Sequence, residues 1–175
     1  SNSTLVPSYD HKDIIIGQGT MGLEIVQQCK EMNVTLDQVI ICCGGGGLSA
    51  GCSLAIKGFL PETAIYLVEP KYFNDTQASF NARRRIKNKT DKKSICDALL
   101  AETPGELTFS INKKLTSDVL TVSDAEVKDA MRFAFLHLKM VVEPGGAVAL
   151  AATLHKKIEL EGKVTAIVLS GGNVD

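Results

Sequence analysis

Four consecutive glycines, Gly44–Gly47, follow an apolar run, Val39-Ile40-Ile41-Cys42-Cys43, and lead into a small-residue segment from Leu48 to about Gly58. Glycine loses more backbone freedom on ordering than any other residue, so such a run between a strand and a helix is costly to hold in place. The cost makes sense if the backbone must approach a ligand closely. Unpaired amides and the positive dipole end meet at a helix N-terminus, which favours an anion, and phosphate suits the site. The competing reading is a flexible turn. A Walker A loop is excluded, because no Gly-Lys-Ser/Thr follows. A dinucleotide fingerprint comes closer: Gly45-x-Gly47-x-x-Ala50 has its spacing, and Glu69 ends the next strand, where a ribose-binding acid belongs. That reading leaves Ser170-Gly171-Gly172-Asn173 unexplained.

Strand and helix patterns alternate around this loop. Asp13–Ile16 is a short apolar run ending at Gly17-Gln18-Gly19-Thr20, and a helical face begins at Met21. Further strands are predicted over Ala64–Val68, Val119–Val122 and Val164–Leu169, and helices over Thr76–Arg85, from the capping box Ser123-Asp124-Ala125-Glu126, and from Pro144 to His155. Ile86–Thr116 has little periodicity and reads as mixed loop and short helix. The pattern predicts a three-layer α/β fold, a mostly parallel sheet with helices on both faces. Functional residues then belong at the carboxyl ends of strands, which singles out Gly17–Thr20, Gly44–Gly47, Glu69–Asp75 and Ser170–Asn173. At 175 residues the chain suits one domain. Residues 1–9 are set aside as a tag or disordered segment, leaving 10–175 as the domain.

Gly17-Gln18-Gly19-Thr20, Cys43-Gly44-Gly45-Gly46-Gly47-Leu48-Ser49-Ala50-Gly51, Val68-Glu69-Pro70, Glu143-Pro144-Gly145-Gly146-Ala147 and Leu169-Ser170-Gly171-Gly172-Asn173-Val174 occur in this order. Together they resemble the threonine/serine dehydratase and serine racemase family, pyridoxal-phosphate enzymes of fold type II. The resemblance implies that the chain is a large-domain portion of such an enzyme. It assigns Gly44, Gly45, Gly46 and Gly47, with the Leu48 amide, to the cofactor phosphate, Ser170 to the pyridine nitrogen, and Glu143 to the surroundings of the cofactor. It also implies a divalent cation (Mg²⁺, Ca²⁺ or Mn²⁺) held by Glu69, the Phe73 carbonyl and Asp75. The competing reading makes Glu69 an ordinary strand-end acid and Asp75 a helix cap. One departure is visible: Asp97-Ala98 stands where many members have Asp-Gly, and Ala adopts positive φ less readily.

The family bonds its cofactor to a lysine in a Ser/Thr-Phe-Lys-x-Arg motif upstream of the glycine loop. No such motif occurs in this sequence. The expectation is therefore a C-terminal portion of an ammonia-lyase that removes water and ammonia from L-serine or L-threonine, inactive by itself. The alternatives are a serine racemase-like isomerase and an NAD-binding Rossmann domain. The resemblance implies an amino-acid substrate and a homodimeric parent.

Composition narrows the partners. A net charge of −1 and 5% aromatic residues without tryptophan disfavour a polyanion binder or an aromatic platform, and no nucleic-acid partner is expected. The basic stretch Arg83–Lys93 reads as a solvated helix end. His137, in an apolar helical pattern, reads as a packed histidine rather than a catalyst. Five cysteines without Cys-x-x-Cys spacing read as buried small hydrophobes in a reducing, cytoplasmic setting. No apolar stretch is long enough to span a bilayer.

Overall fold

The computed structural model describes residues 6–174; residues 1–5 of the N-terminal segment lie outside the described residues. In chain order the elements are α1 (Lys12–Glu31), β1 (Gln38–Cys42), α2 (Gly47–Phe59), β2 (Ala64–Pro70), α3 (Asp75–Ala82), a 3₁₀ turn (Asp97–Leu99), α4 (Glu106–Leu115), β3 (Asp118–Val122), α5 (Asp124–Phe133), a π-helical turn (Ala134–Leu138), α6 (Pro144–Leu154) and β4 (Thr165–Ile167). The strands form one parallel sheet in the order β3-β2-β1-β4. Every residue of β1 is buried, as expected of a central parallel strand covered on both faces.

The pleat sends alternate β1 side chains to opposite layers. Ile40 and Cys42 join one core with Val127, Ala130 and the small residues of α6. Val39, Ile41 and Cys43 join the other with Cys52 and Ile56 of α2 and, at its border, Ile25 of α1. The adjacent cysteines therefore face different cores, and all five cysteines are free and buried. Among the described residues, no helix is long and apolar enough to cross a membrane.

Gly17–Thr20 is not a strand-end loop. Asp13–Ile16 and the glycines after it run inside one 20-residue helix. The glycines serve helix packing instead. A Cβ on Gly19 would lie 3.1 Å from the Gly51 carbonyl oxygen, and one on Gly22 would lie 2.9 Å from the Cys52 Cα. A Cβ on Gly51 would run into the carbonyl of Ile15. The helices thus cross backbone to backbone, and apolar periodicity alone cannot reveal that contact.

Other local predictions meet the structure unevenly. The capping box at Ser123 is formed, with Ser123 and Glu126 exchanging bonds through side chain and backbone. Ile86–Thr116 contains the ten-residue α4, whose N-terminal amides are capped by Asp10, far away in sequence. His137 is not packed in a core; it lies exposed on the π-helical turn, its ring 4.7 Å from that of Phe133. Ala98 sits in the 3₁₀ turn without positive φ, so its replacement of glycine strains nothing. Arg83–Arg85 are exposed, and Lys87 pairs with Glu102 at 2.7 Å, a solvated face.

Two substitutions test the glycine seam with opposite signs. Gly17→Ala has nothing within 4 Å of the added carbon and should stabilise the chain by up to about 1 kcal/mol through helix propensity. Gly51→Ala should destabilise it by about 1–3 kcal/mol, because backbone atoms must move. Urea denaturation midpoints measure both.

Candidate cofactor site

The strand order reverses at β1. The chain steps outward from β1 to β2 and β3, then returns to place β4 on the other edge of β1. Open parallel sheets bind ligands at the carboxyl ends of strands beside such a switch point. Here that end is a cleft of about 410 Å³ lined by Gly44–Ser49, Cys42, Ser170, the Asp97–Ala101 wall and Ser8–Tyr9.

The predicted glycine loop forms one side of it. Among the described residues, no amide from Gly44 to Leu48 donates to a protein acceptor. Gly46 takes φ +94° as the N-cap of α2, a conformation that glycine adopts at little cost. Neighbours also approach too closely for side chains. A Cβ on Gly44 would lie 3.2 Å from the Cα of Leu99, and one on Gly45 would collide with the Tyr9 ring. Unpaired amides at a helix start define an anion cup.

Ser170 stands across the cleft at the end of the β4 segment, exposed, with its Oγ 3.2 Å from Cys42 Sγ. Burial raises the Cys42 thiol above its ordinary range, so it stays protonated and neutral. Glu143 is not among the residues lining the cleft. It is the N-cap of α6, its amide donates to the Gly171 carbonyl at 2.9 Å, and its carboxylate fills the space beside Gly171. It braces the Ser170 turn from behind.

Glu69 and Asp75 form a second, buried centre. Both Glu69 oxygens accept amide bonds, from Thr76 and Gln77 at 2.9 Å each, so Glu69 caps α3 from the end of β2. Asp75 is not the cap. It lies in the first turn of α3, 1% exposed, and neither carboxylate oxygen has a partner. Phe73 sits between them, half-buried, its amide bonded to the Pro70 carbonyl. Burial, with the neighbouring Asp75 carboxylate second, pushes Glu69 up to about 8; burial pushes Asp75 up to about 7. Among the described residues, no three His, Cys, Asp or Glu side chains gather as a metal cluster. The engaged, buried Glu69 cannot reach a ribose in the cleft, which removes the dinucleotide reading.

Four residues near the cup escaped the sequence reading. Tyr9 lay in the segment set aside, yet its ring lies on Gly45 and its backbone on Gly47. Asp10, Thr108 and Asn112 come from distant positions. Thr108 Oγ1 donates to the Gly45 carbonyl at 2.7 Å, and Asn112 Nδ2 donates to Ser49 Oγ at 2.9 Å. Asp10 caps a helix far along the chain, so no local signal pointed to it.

Fold and cleft define an α/β domain with a cup of unpaired amides at a strand-order switch point. A family model described as pyridoxal-phosphate dependent enzyme matches residues 1–171, and the chain belongs to that family. It is 40% identical to the serine racemase of Schizosaccharomyces pombe over 98% of this chain and 52% of that protein. It is also 40% identical, with the same coverage, to an L-threo-3-hydroxyaspartate ammonia-lyase of Pseudomonas sp. The crystal structure of a threonine deaminase from T.th. superposes with a TM-score of 0.91 at 38% identity, over 95% of this chain and 61% of that one. The chain spans about half the length of the curated relatives it matches.

Gly46→Ala should cost about 1–2 kcal/mol in stability from its left-handed backbone alone, and its Cβ would also press on Thr108 at 3.0 Å. Denaturant titration measures it. The carboxylates give a pH signature. Raised folded values mean that the native chain keeps protons that the unfolded chain releases. In chelator, stability from Glu69 and Asp75 is therefore full below about pH 4 and falls as pH rises through about 7 to 8. Asp75→Asn should match wild type at pH 4 and exceed it at pH 9 in thermal melts.

Proposed function

We propose that this chain is the cofactor-phosphate-binding portion of a pyridoxal-phosphate-dependent ammonia-lyase that deaminates a β-hydroxy amino acid, L-serine or L-threonine, to a 2-oxo acid. The observation that carries the reading is the cup of unpaired amides from Gly44 to Leu48 facing Ser170 across one cleft. The names of the relatives support the substrate class: one is an ammonia-lyase of a hydroxy amino acid and one a threonine deaminase. A racemase-like activity is the second reading, favoured by the equally similar serine racemase.

The residues divide the work. Amides of the cup would hold the phosphate and so fix the position of the ring. Pyridoxal phosphate supplies the electron sink that weakens the bonds at the substrate α-carbon. Ser170 would meet the pyridine nitrogen with a neutral hydroxyl, able to share a hydrogen bond without giving up its proton. Such a contact suits quick loss of a β-hydroxyl over long storage of charge. Cys42 holds the Ser170 oxygen from below, and the Asp97–Ala101 wall excludes water from one side. The lining contains no lysine, so the chain alone is proposed to bind the cofactor without a covalent bond and to be inactive.

The Glu69–Phe73–Asp75 corner is proposed to bind a divalent cation. Two unpartnered, buried Asp75 oxygens are costly as they stand, and a hard cation would satisfy them and draw both carboxylates to the charged form. The parent enzyme is proposed to be a homodimer.

Titration with pyridoxal phosphate, followed by borohydride, tests the main reading. Saturable binding with no reduced adduct is expected. Absence of binding at millimolar cofactor contradicts the reading, and a borohydride-fixed adduct contradicts the missing lysine. Calorimetry with Mg²⁺ should give heat for wild type and none for Asp75→Ala; equal heats would remove the cation.

A further inference from the structure

The glycine cup has a back as well as a face, and the back is helix α4. Thr108 and Asn112 sit one turn apart on it, 0% and 1% exposed. The Gly45 carbonyl accepts from Thr108 Oγ1 at 2.7 Å and from the Gly105 amide at 3.2 Å. The Gly46 carbonyl accepts from Asn112 Nδ2 at 3.4 Å, from Ser49 Oγ at 3.1 Å and from the Ala50 amide at 2.9 Å. A trans peptide points its carbonyl and the next amide in opposite directions. Carbonyls pulled toward α4 therefore turn the amides of Gly46 and Gly47 away from it, toward the cleft.

We propose that Thr108 and Asn112 are positioning residues that make this loop selective for a phosphorylated ligand, by fixing two peptide planes with their amides outward. The proposal deepens the pyridoxal-phosphate reading and rests on it. Four glycines in a row would otherwise sample many orientations, and an anion would have to order them on binding. The clamp orders them beforehand, which lowers the cost of binding. Its placement is itself fixed. Asp10 accepts from the amides of Glu106, Leu107 and Thr108 at 2.8, 2.9 and 3.1 Å and anchors the first turn of α4. Gly46 completes the fit, since a Cβ there would lie 3.0 Å from both clamp side chains.

A role limited to packing α4 would affect every ligand of the cleft alike. The clamp acts only on the phosphate. Pyridoxal phosphate and pyridoxal, titrated separately into this chain and followed by the amide NMR signals of Gly46 and Gly47, separate the two. Thr108→Val keeps the side-chain volume and removes the donor. It should weaken pyridoxal phosphate roughly tenfold, about the value of one such bond, and leave pyridoxal unchanged. Thr108→Ser should restore wild-type affinity. Asn112→Leu should show the same preference for affecting the phosphate form, and it serves as the test if Thr108→Val does not fold. Equal weakening of both ligands, or no weakening of either, overturns the clamp. A wild-type chain that binds pyridoxal phosphate nowhere overturns the underlying reading instead.

Discussion

Strand β1 is hydrogen-bonded on both edges and buried on both faces, and the arrangement of the site depends on that confinement. Its partners fix its register, β2 along Gln38–Cys42 and β4 along Gln38–Ile40. Its end therefore cannot shift relative to the end of β4, and the glycine loop and Ser170 are held at opposite sides of one cleft. The parallel sheet brings Cys42 and Ser170, 128 residues apart in the chain, into contact at 3.2 Å. A one-residue slip would exchange the faces of Cys42 and Cys43 and withdraw the thiol from Ser170.

The layers then divide between support and chemistry. Helices α1 and α2 cross at Gly19 and Gly22 against Gly51 and Cys52, which brings their backbones close. Helix α2 must start with small residues for the same reason that the cup does. Helix α6, rich in alanine and glycine, lies similarly close on the opposite face. The site is built on the turns that leave β1 and β4, Gly44–Gly46 and the Ser170 turn, and on the start of α2, with the Asp97–Ala101 wall and the Ser8–Tyr9 strap closing it.

Much of this was legible in the sequence where the signal is local. The β-branched run of β1 is unambiguous because both faces are buried and the apolar run is continuous, and the apolar run of β2 is nearly so. The capping box at Ser123 is a four-residue signal and is formed as written. Where the signal is tertiary, the reading failed. Ile14–Ile16 before two glycines imitates a strand and its turn, and only the partner helix explains why those glycines lie within α1. The start of α4 is invisible because its cap, Asp10, arrives from the other end of the chain. Glu69 was read as a strand-end acid and lies near the end of β2, but its burial and its bonds to α3 depend on how tightly β2 leads into that helix. The order of five motifs carried the family, and in four of them glycines mark places where a backbone must approach something closely.

The position of Tyr9 has an optical consequence. The chain has no tryptophan and three tyrosines. Tyrosine emission is normally hidden by energy transfer to indole, and here nothing hides it. One of the three rings lies beside the glycine cup and lines the cleft, so a ligand entering the cleft changes its surroundings. The chain therefore carries its own fluorophore at the cup, and the protein can be watched filling its site without a label.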